Sequence, residues 1–503
     1  VNIQRAVARQ RKVIMGSKQG TIAKPAKPAK PAKPAKAAQP APDPAQGSGP
    51  VPKFPSAEER RAAGKLLRDA VSRARHAEWK PPANRADPVA LLEATNAGRI
   101  PELVPIRFGR MARSPFDFYR GAAGIMAADL ATTPNTGLLV QACGDAHLMN
   151  FGGFATPERN VIFDINDLDE TLPAPWEWDI KRLAASVVVA ARHIDLPDSD
   201  AARAAVATIC SYREHMIDYA SLPALEVWYD RIGLDKVMKS LESDADRVRL
   251  ERRVAQAQEK SAPENLFPKL AEHRGGQPRI KDEPPLIFHP SPEQAPGINS
   301  GYREVLAQYR ESLAPHVRVL YDRYRLCDVA FKVVGVGSVG TACAVALFMD
   351  AEESPLFIQV KEARPSVLEP YAGRSQYRNE GQRVVAGQRL MQSASDIFLG
   401  WAVSLVGKPM YFRQLRDTKI SPLIEGFDGD QLRNYGRLCG WALARAHARS
   451  GDAAMIAGYM GSGEVFDEAI CEFALAYADQ NRRDYRAFIQ AIREGRIAVV
   501  SDL

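Results

Sequence analysis

The feature that most constrains this chain is a change of hydrophobic period beyond Arg318. Residues 327–334 alternate as a strand does, 341–348 and 356–361 give a second and third, and 410–415 a fourth, with a helical pattern over 376–394 between the last two. On either side the period is helical. Asp87–Ala131 reads mainly as helices broken near Ser114-Pro115. Trp178–Ala191 reads as a strong helix bounded by His193 and Pro197, and residues 201–260 are helical almost throughout. The chain from Asp430 onward is helical again. Two short strands, Leu138–Val140 and Val161–Phe163, interrupt the first helical part, and the proline-rich stretch 264–299 reads as a long connection. The pattern predicts an α+β protein with a helix-rich unit at 56–317, a sheet-bearing unit at 318–425 and helices at 426–503 that complete the first unit.

Ordered structure is expected to begin at Ser56, whose hydroxyl caps a helix starting Ala57-Glu58-Glu59 and running toward Arg75, with Glu59 as reciprocal partner. Before it, Ala-Lys-Pro repeats at 23–36 and a Pro-rich run to Pro55 favour an extended, disordered tail. Residues 1–55 carry eleven Lys and Arg against one acid, so the formal charge of +7 belongs to this tail and the body is about −3. A basic tail on a nearly neutral body argues against a dedicated nucleic-acid site, and leaves the tail weak contacts with acidic surfaces. Six scattered cysteines without a CxxC pair suit free thiols better than a disulfide framework, and lack the close spacing of a structural zinc motif. No apolar run is long enough for a transmembrane segment, and Arg5, Arg9, Arg11 and Lys12 break any secretory h-region, so the expected localisation is cytoplasmic.

Two constellations bear chemistry. The first is Gly144-Asp145-Ala146-His147-Leu148-Met149-Asn150, a loop between short strands, with Phe163-Asp164-Ile165-Asn166-Asp167 following at a strand end. Phosphoryl transfer needs a carboxylate facing the acceptor and oxygen ligands for magnesium beside the phosphates. Asp145 suits the first role, and Asn150 with Asp164 suits the second; Asp167 is a substitute or second ligand. The alternative is a turn whose Asp and Asn bond only to backbone.

The second constellation is Val334-Gly335-Val336-Gly337-Ser338-Val339-Gly340 between strands, where glycines admit close approach of backbone N–H groups to phosphates. It lacks the Gly-Lys-Ser/Thr of a P-loop, and strand rather than helix follows it. Lys361 then ends an apolar strand, and Glu380 in the next helix is the partner expected for it.

Gly-Asp-x-His-x-x-Asn at 144–150 resembles the catalytic loop of aminoglycoside and choline phosphotransferases and other kinase-like small-molecule kinases. The resemblance implies a protein-kinase-like fold, with a helix-rich catalytic lobe and a smaller antiparallel-sheet nucleotide lobe. It implies ATP and Mg2+ as cofactors, Asp145 as base, and Asn150 and Asp164 as metal ligands. It further implies phosphate contacts from Gly335, Gly337, Ser338, Gly340 and Lys361, and structural support from His147 and Asp179, the latter within Pro175-Trp176-Glu177-Trp178-Asp179-Ile180. From about Asp87 onward the chain more closely resembles the bacterial DUF2252 family. Its order departs from a kinase's: the glycine segment, lysine strand, acidic helix, hinge-like strand and long helix 430–449 follow the catalytic loop, as in a circular permutation. The implied activity is an ATP-dependent phosphotransferase acting on an unknown acceptor, small molecule or protein. AMP transfer, non-catalytic nucleotide binding and a helical interaction protein are the alternatives.

Overall fold

The computed structural model describes residues 55–500, apart from 242, 262, 285, 290–297, 333–338 and 416–417. The expectation for the basic tail therefore lies outside the described residues. Helix α1, Ala57–Ala70, begins with the expected reciprocal cap: Ser56 Oγ accepts from Glu59 N–H, and Glu59 Oε2 accepts from Ser56 N–H. It stops short of Arg75 because Val71 and Ser72 turn extended before a short 3₁₀ segment at Arg73–Ala77.

The helix-rich part is built on α2 (Trp176–His193), α3 (Asp198–Tyr219), α5 (Gly429–Ser450), α6 (Ala453–Met460) and α7 (Val465–Arg493), which enclose the largest core. Helix α2 is buried from Trp176 to Ala191, its Ala/Val/Leu-rich second half packed all round and its first half enclosing Glu177, Asp179, Lys181 and Arg182 as well. α3 and α5 approach closely because Gly440 has no side chain; a Cβ there would lie 2.2 Å from the Thr208 carbonyl oxygen. Two strand pairs contribute to the same core. β1 (Leu139–Ala142) pairs with β4 (Leu172–Pro175), and β2 (Phe151–Ala155) with β3 (Val161–Ile165), both antiparallel. Neither β2 nor β4 was expected; their glycines and prolines hide the strand period.

The sheet-bearing part holds six antiparallel strands in the order β11-β12-β10-β9-β8-β7. These are β7 (Ile287–Phe288), β8 (Arg325–Lys332), β9 (Cys343–Met349), β10 (Pro355–Glu362), β11 (Gly400–Val403) and β12 (Pro409–Gln414). Helix α4 (Glu380–Met391) lies between β10 and β11 in the chain. One face of the sheet sends Phe348, Leu356, Ile358 and Phe412 against Tyr309, Leu313 and Tyr321 of the two preceding helices. The opposite face, by the alternation of β10, carries Phe357, Gln359 and Lys361. The stretch 264–299, expected as a bare connection, contains a helix at Pro263–Leu270 and a small hairpin of β5 (Ala271–Arg274) and β6 (Gln277–Ile280). Among the described residues no helix is long and apolar enough to cross a membrane, and all six cysteines are free.

Candidate functional site

β1 runs into the 144–150 loop through Gly144, whose φ of +79° and proximity to Glu170 O, 2.5 Å from where a Cβ would sit, require glycine. The loop is held from below by Asp179 in the first turn of α2. Its carboxylate accepts from Cys143 N–H at 2.5 Å and Gly144 N–H at 3.0 Å. His447 Nε2, on the last turn of α5, reaches the same carboxylate at 3.1 Å, and the Tyr212 hydroxyl lies 2.8 Å from Nδ1. An Nε2–H tautomer satisfies both contacts.

One helical turn beyond Asp179, Arg182 donates twice to Asp145 Oδ1, from Nε at 2.8 Å and Nη2 at 2.5 Å. Burial opposes the guanidinium charge, but Asp145 outweighs it and holds Arg182 above its usual pKa. Asp145 Oδ2 is left facing His147 Nε2 at 3.8 Å. His147 is buried, accepts Met149 N–H on Nδ1, and is pushed down to about 3 by burial, so it stays neutral. Asn150 donates from Nδ2 to the Asp145 carbonyl oxygen at 2.8 Å, and its own carbonyl accepts Asn166 N–H at 2.7 Å, tying the loop to the segment after β3.

Asp164, expected as a metal ligand, has its carboxylate occupied by protein donors. It is fully buried, and its oxygens are taken by Arg445 Nη2 at 2.7 Å, Ile165 N–H at 2.8 Å, and Ser393 N–H and Oγ at 2.9 Å each. Asp167 is differently placed: its side chain is 37% exposed, while Oδ1 is buried without a hydrogen-bond partner. Lys361 points from β10 to these carboxylates. Its Nζ lies 2.5 Å from Asp169 Oδ2 and 3.9 Å from Asp167 Oδ2, and Tyr411 OH donates to Asp169 Oδ1 at 2.5 Å. Burial works against all three charges. Asp167 and Asp169 nevertheless raise the lysine's pKa, and Lys361 lowers that of Asp169; burial and the Asp169 charge together raise that of Asp167.

Lys361 is thus paired with Asp169 and not with Glu380. Glu380 bonds Arg383 Nε at 2.6 Å, and the buried Arg383 spends its other donors on the carbonyls of Thr171, Asp169 and Arg364. Glu380 serves the structure around Asp169 instead of the lysine. Gly335, Gly337 and Ser338 lie outside the described residues. Gly340 is described, at φ +88°, and its carbonyl accepts Ile100 N–H at 2.8 Å.

The residues that sequence reasoning missed are Arg182, Asp169, Arg413, Arg445 and His447. Arg182 had a signal, since it sits three residues after Asp179 on a helix and shares its face. Arg445 and His447 are basic residues within an alanine-rich buried stretch, where a charge needs a partner. Asp169 and Arg413 had none: register across strands decides which face Arg413 takes, and Asp169 lies in the turn between β3 and β4, where no period places it.

An Mg2+ ion suits what is present. Asp167 Oδ1 has no protein partner, Asn150 lies one hydrogen bond away from Asn166, and magnesium usually takes one or two carboxylates beside substrate phosphates. Among the described residues no three His, Cys, Asp or Glu side chains gather as a self-sufficient metal site.

Compared with known proteins, the chain matches no curated protein and no solved structure. Residues 99–491 match DUF2252, a family described as an uncharacterized protein conserved in bacteria. That match spans most of the chain, and the protein belongs to the DUF2252 family.

Proposed function

We propose that the protein is an ATP-dependent, Mg2+-requiring phosphotransferase of circularly permuted kinase-like fold. The observation that carries this is the meeting of Lys361, near the end of β10, the second strand after the glycine segment, with Asp169 and Asp167, about 190 residues earlier in the chain. Asp145 and Asn150 belong to the same neighbourhood: Gly144 abuts Glu170, and Asn150 bonds Asn166. The end of α5 also supports the permutation. Ser450 Oγ accepts Gln141 N–H at 3.1 Å, so the long helix stops against the strand that leads into the 144–150 loop. In a kinase that helix would feed the catalytic loop directly.

In this reading Asp145 Oδ2 receives the acceptor's hydroxyl hydrogen bond while Arg182 fixes Oδ1. The acceptor oxygen attacks the γ-phosphorus, the bond to ADP breaks, and the hydroxyl proton passes to Asp145. Lys361 exchanges Asp169 for nucleotide phosphate. Asp167 and Asn150 would hold Mg2+, which neutralises phosphate charge when bound. Asp164 and Asp179 brace the framework. Glu380 is left out of the phosphate contacts.

Calorimetric titration of the full chain with ATP, with and without Mg2+, tests this. Mg2+-dependent binding that is lost in Asp167→Asn and Lys361→Met supports it; no binding by the wild type overturns it. Transfer of a γ-phosphate label to an acceptor supports phosphotransfer, whereas transfer of an α-phosphate label shows AMP transfer.

A further inference from the structure

Arg413 occupies the same sheet face as Lys361. In the β10–β12 register Gln359 stands opposite Arg413 and Lys361 opposite Tyr411, so all four side chains leave the sheet on one side. Arg413 donates from Nε to Gln359 Oε1 at 3.0 Å, and from Nη1 to the Asn166 carbonyl at a long 3.4 Å. Among the described residues its Nη2 has no hydrogen-bond partner. The arginine therefore joins the sheet to the segment carrying Asp167 while keeping donors for something else.

What lies before it is a cavity of about 780 Å³ between the sheet and the β2–β3 hairpin. Arg413, Gln359 and Asn166 all line it, and its charged lining is five cations (Arg110, Arg159, Lys332, Arg413 and Lys419) against one carboxylate, Asp396. Arg413 and Lys361 leave one sheet face side by side, with Asp167 and Asp169 between them and the β3–β4 segment, and two neighbouring cations beside a concave polar space suit a polyanion. A planar guanidinium with donors to spare is the group that grips phosphate oxygens best.

We propose that Arg413 is a second phosphate-binding cation of this cleft, acting beside Lys361 on the polyphosphate chain of the nucleotide. The inference rests on the nucleotide reading above. It implies that affinity is set by phosphate number more than by the base.

The test is equilibrium binding of ATP, ADP, adenosine and inorganic tripolyphosphate, with Mg2+, to wild type, Arg413→Gln and Arg413→Lys. Loss of a charge-assisted contact should weaken ATP and tripolyphosphate roughly 10- to 100-fold in Arg413→Gln, with a smaller loss in Arg413→Lys. Adenosine binding should be unchanged, a result that general damage to the cleft would not give. If Arg413→Gln fails to fold, Arg413→Lys carries the test through the same phosphate-dependent loss. Wild-type ATP binding with no change in either variant, or an equal loss for adenosine, overturns the role of Arg413 while leaving the nucleotide reading intact. Arg413-dependent binding of tripolyphosphate without any binding of ATP keeps the phosphate site and removes the nucleotide. Wild type binding neither probe removes both.

Discussion

Replacing Asp164 by Asn separates a buried brace from a metal ligand. Asp164 and Arg445 are both wholly buried, and Arg445 Nε and Nη1 already lack partners. The mutation removes the charge that compensates the guanidinium. It also swaps an acceptor for an NH2 group that faces Arg445 or the donors of Ser393. Breaking one side of a buried pair costs about 3–5 kcal/mol. At roughly 2–4 °C per kcal/mol for a cooperative unit of this size, the melting temperature should fall by about 6–20 °C. Differential scanning calorimetry of the full chain measures it, and Asp164→Leu/Arg445→Met should recover part of the loss, as paired apolar replacements do. Asp167→Asn should lower melting much less than Asp164→Asn, because Oδ1 has no hydrogen bond to lose and Lys361 keeps Asp169, while removing Mg2+-dependent ATP binding. If Asp164→Asn melts within about 2 °C of wild type but no longer binds Mg-ATP, the brace assignment is wrong and Asp164 is the ligand.

Asp145→Asn should spare ATP binding and lower transfer by roughly two to four powers of ten, measured once an acceptor is in hand. Deleting residues 1–55 should leave thermal unfolding unchanged. Deletion to residue 98 should not be neutral: Arg85 bonds both Asp129 and Asp484, each nearly buried, and its loss leaves two uncompensated carboxylates at a cost of about 3–5 kcal/mol, seen as a fall in denaturation midpoint. His289 sits between Asp282 at 2.7 Å and Asp328 at 2.8 Å. Burial opposes its charge, but the two carboxylates prevail and raise its pKa. Its contribution to stability is then complete below the unfolded value near 6.5 and fades as pH rises through the higher folded one, a dependence that melting curves should show in wild type and lose in Asp328→Asn.

The architecture was largely legible because period survives in long, one-sided elements. The strand of Lys361 and the buried run of α2 are read directly from an apolar strand-length run and from a stretch rich in Ala, Leu and Val. The pairs β1–β4 and β2–β3 were half hidden, since proline in β4 and glycine in β2 weaken strand propensity and only the partner strand fixes them. At the site, the 144–150 loop and Lys361 stand out by residue type, but pairing does not. Glu380 and Asp169 are equally acidic on paper. The choice between them depends on Arg383, which claims Glu380 and, through the Asp169 carbonyl, sets the neighbouring chain. Asp164 and Asp167 differ by three residues and by everything around them: one is enclosed by α5 and Ser393, the other opens to the cleft.

The seat of Asp164 and Asp179 on the last turns of α5 has a consequence for biosynthesis. Their partners Arg445 and His447 lie 281 and 268 residues downstream. At about 5–20 residues per second, a ribosome delivers those partners roughly 15–60 s after the two aspartates emerge. During that interval Asp145 has Arg182 on its scaffold helix, but Asp164 and Asp179 lack Arg445 and His447, and carboxylates destined for a dry interior must remain hydrated. The N-terminal portion should therefore stay open, with α2 and α3 exposing their apolar faces, until α5 arrives and closes the body late. A chain arranged in this order closes the body around the 144–150 loop late although it makes that loop early.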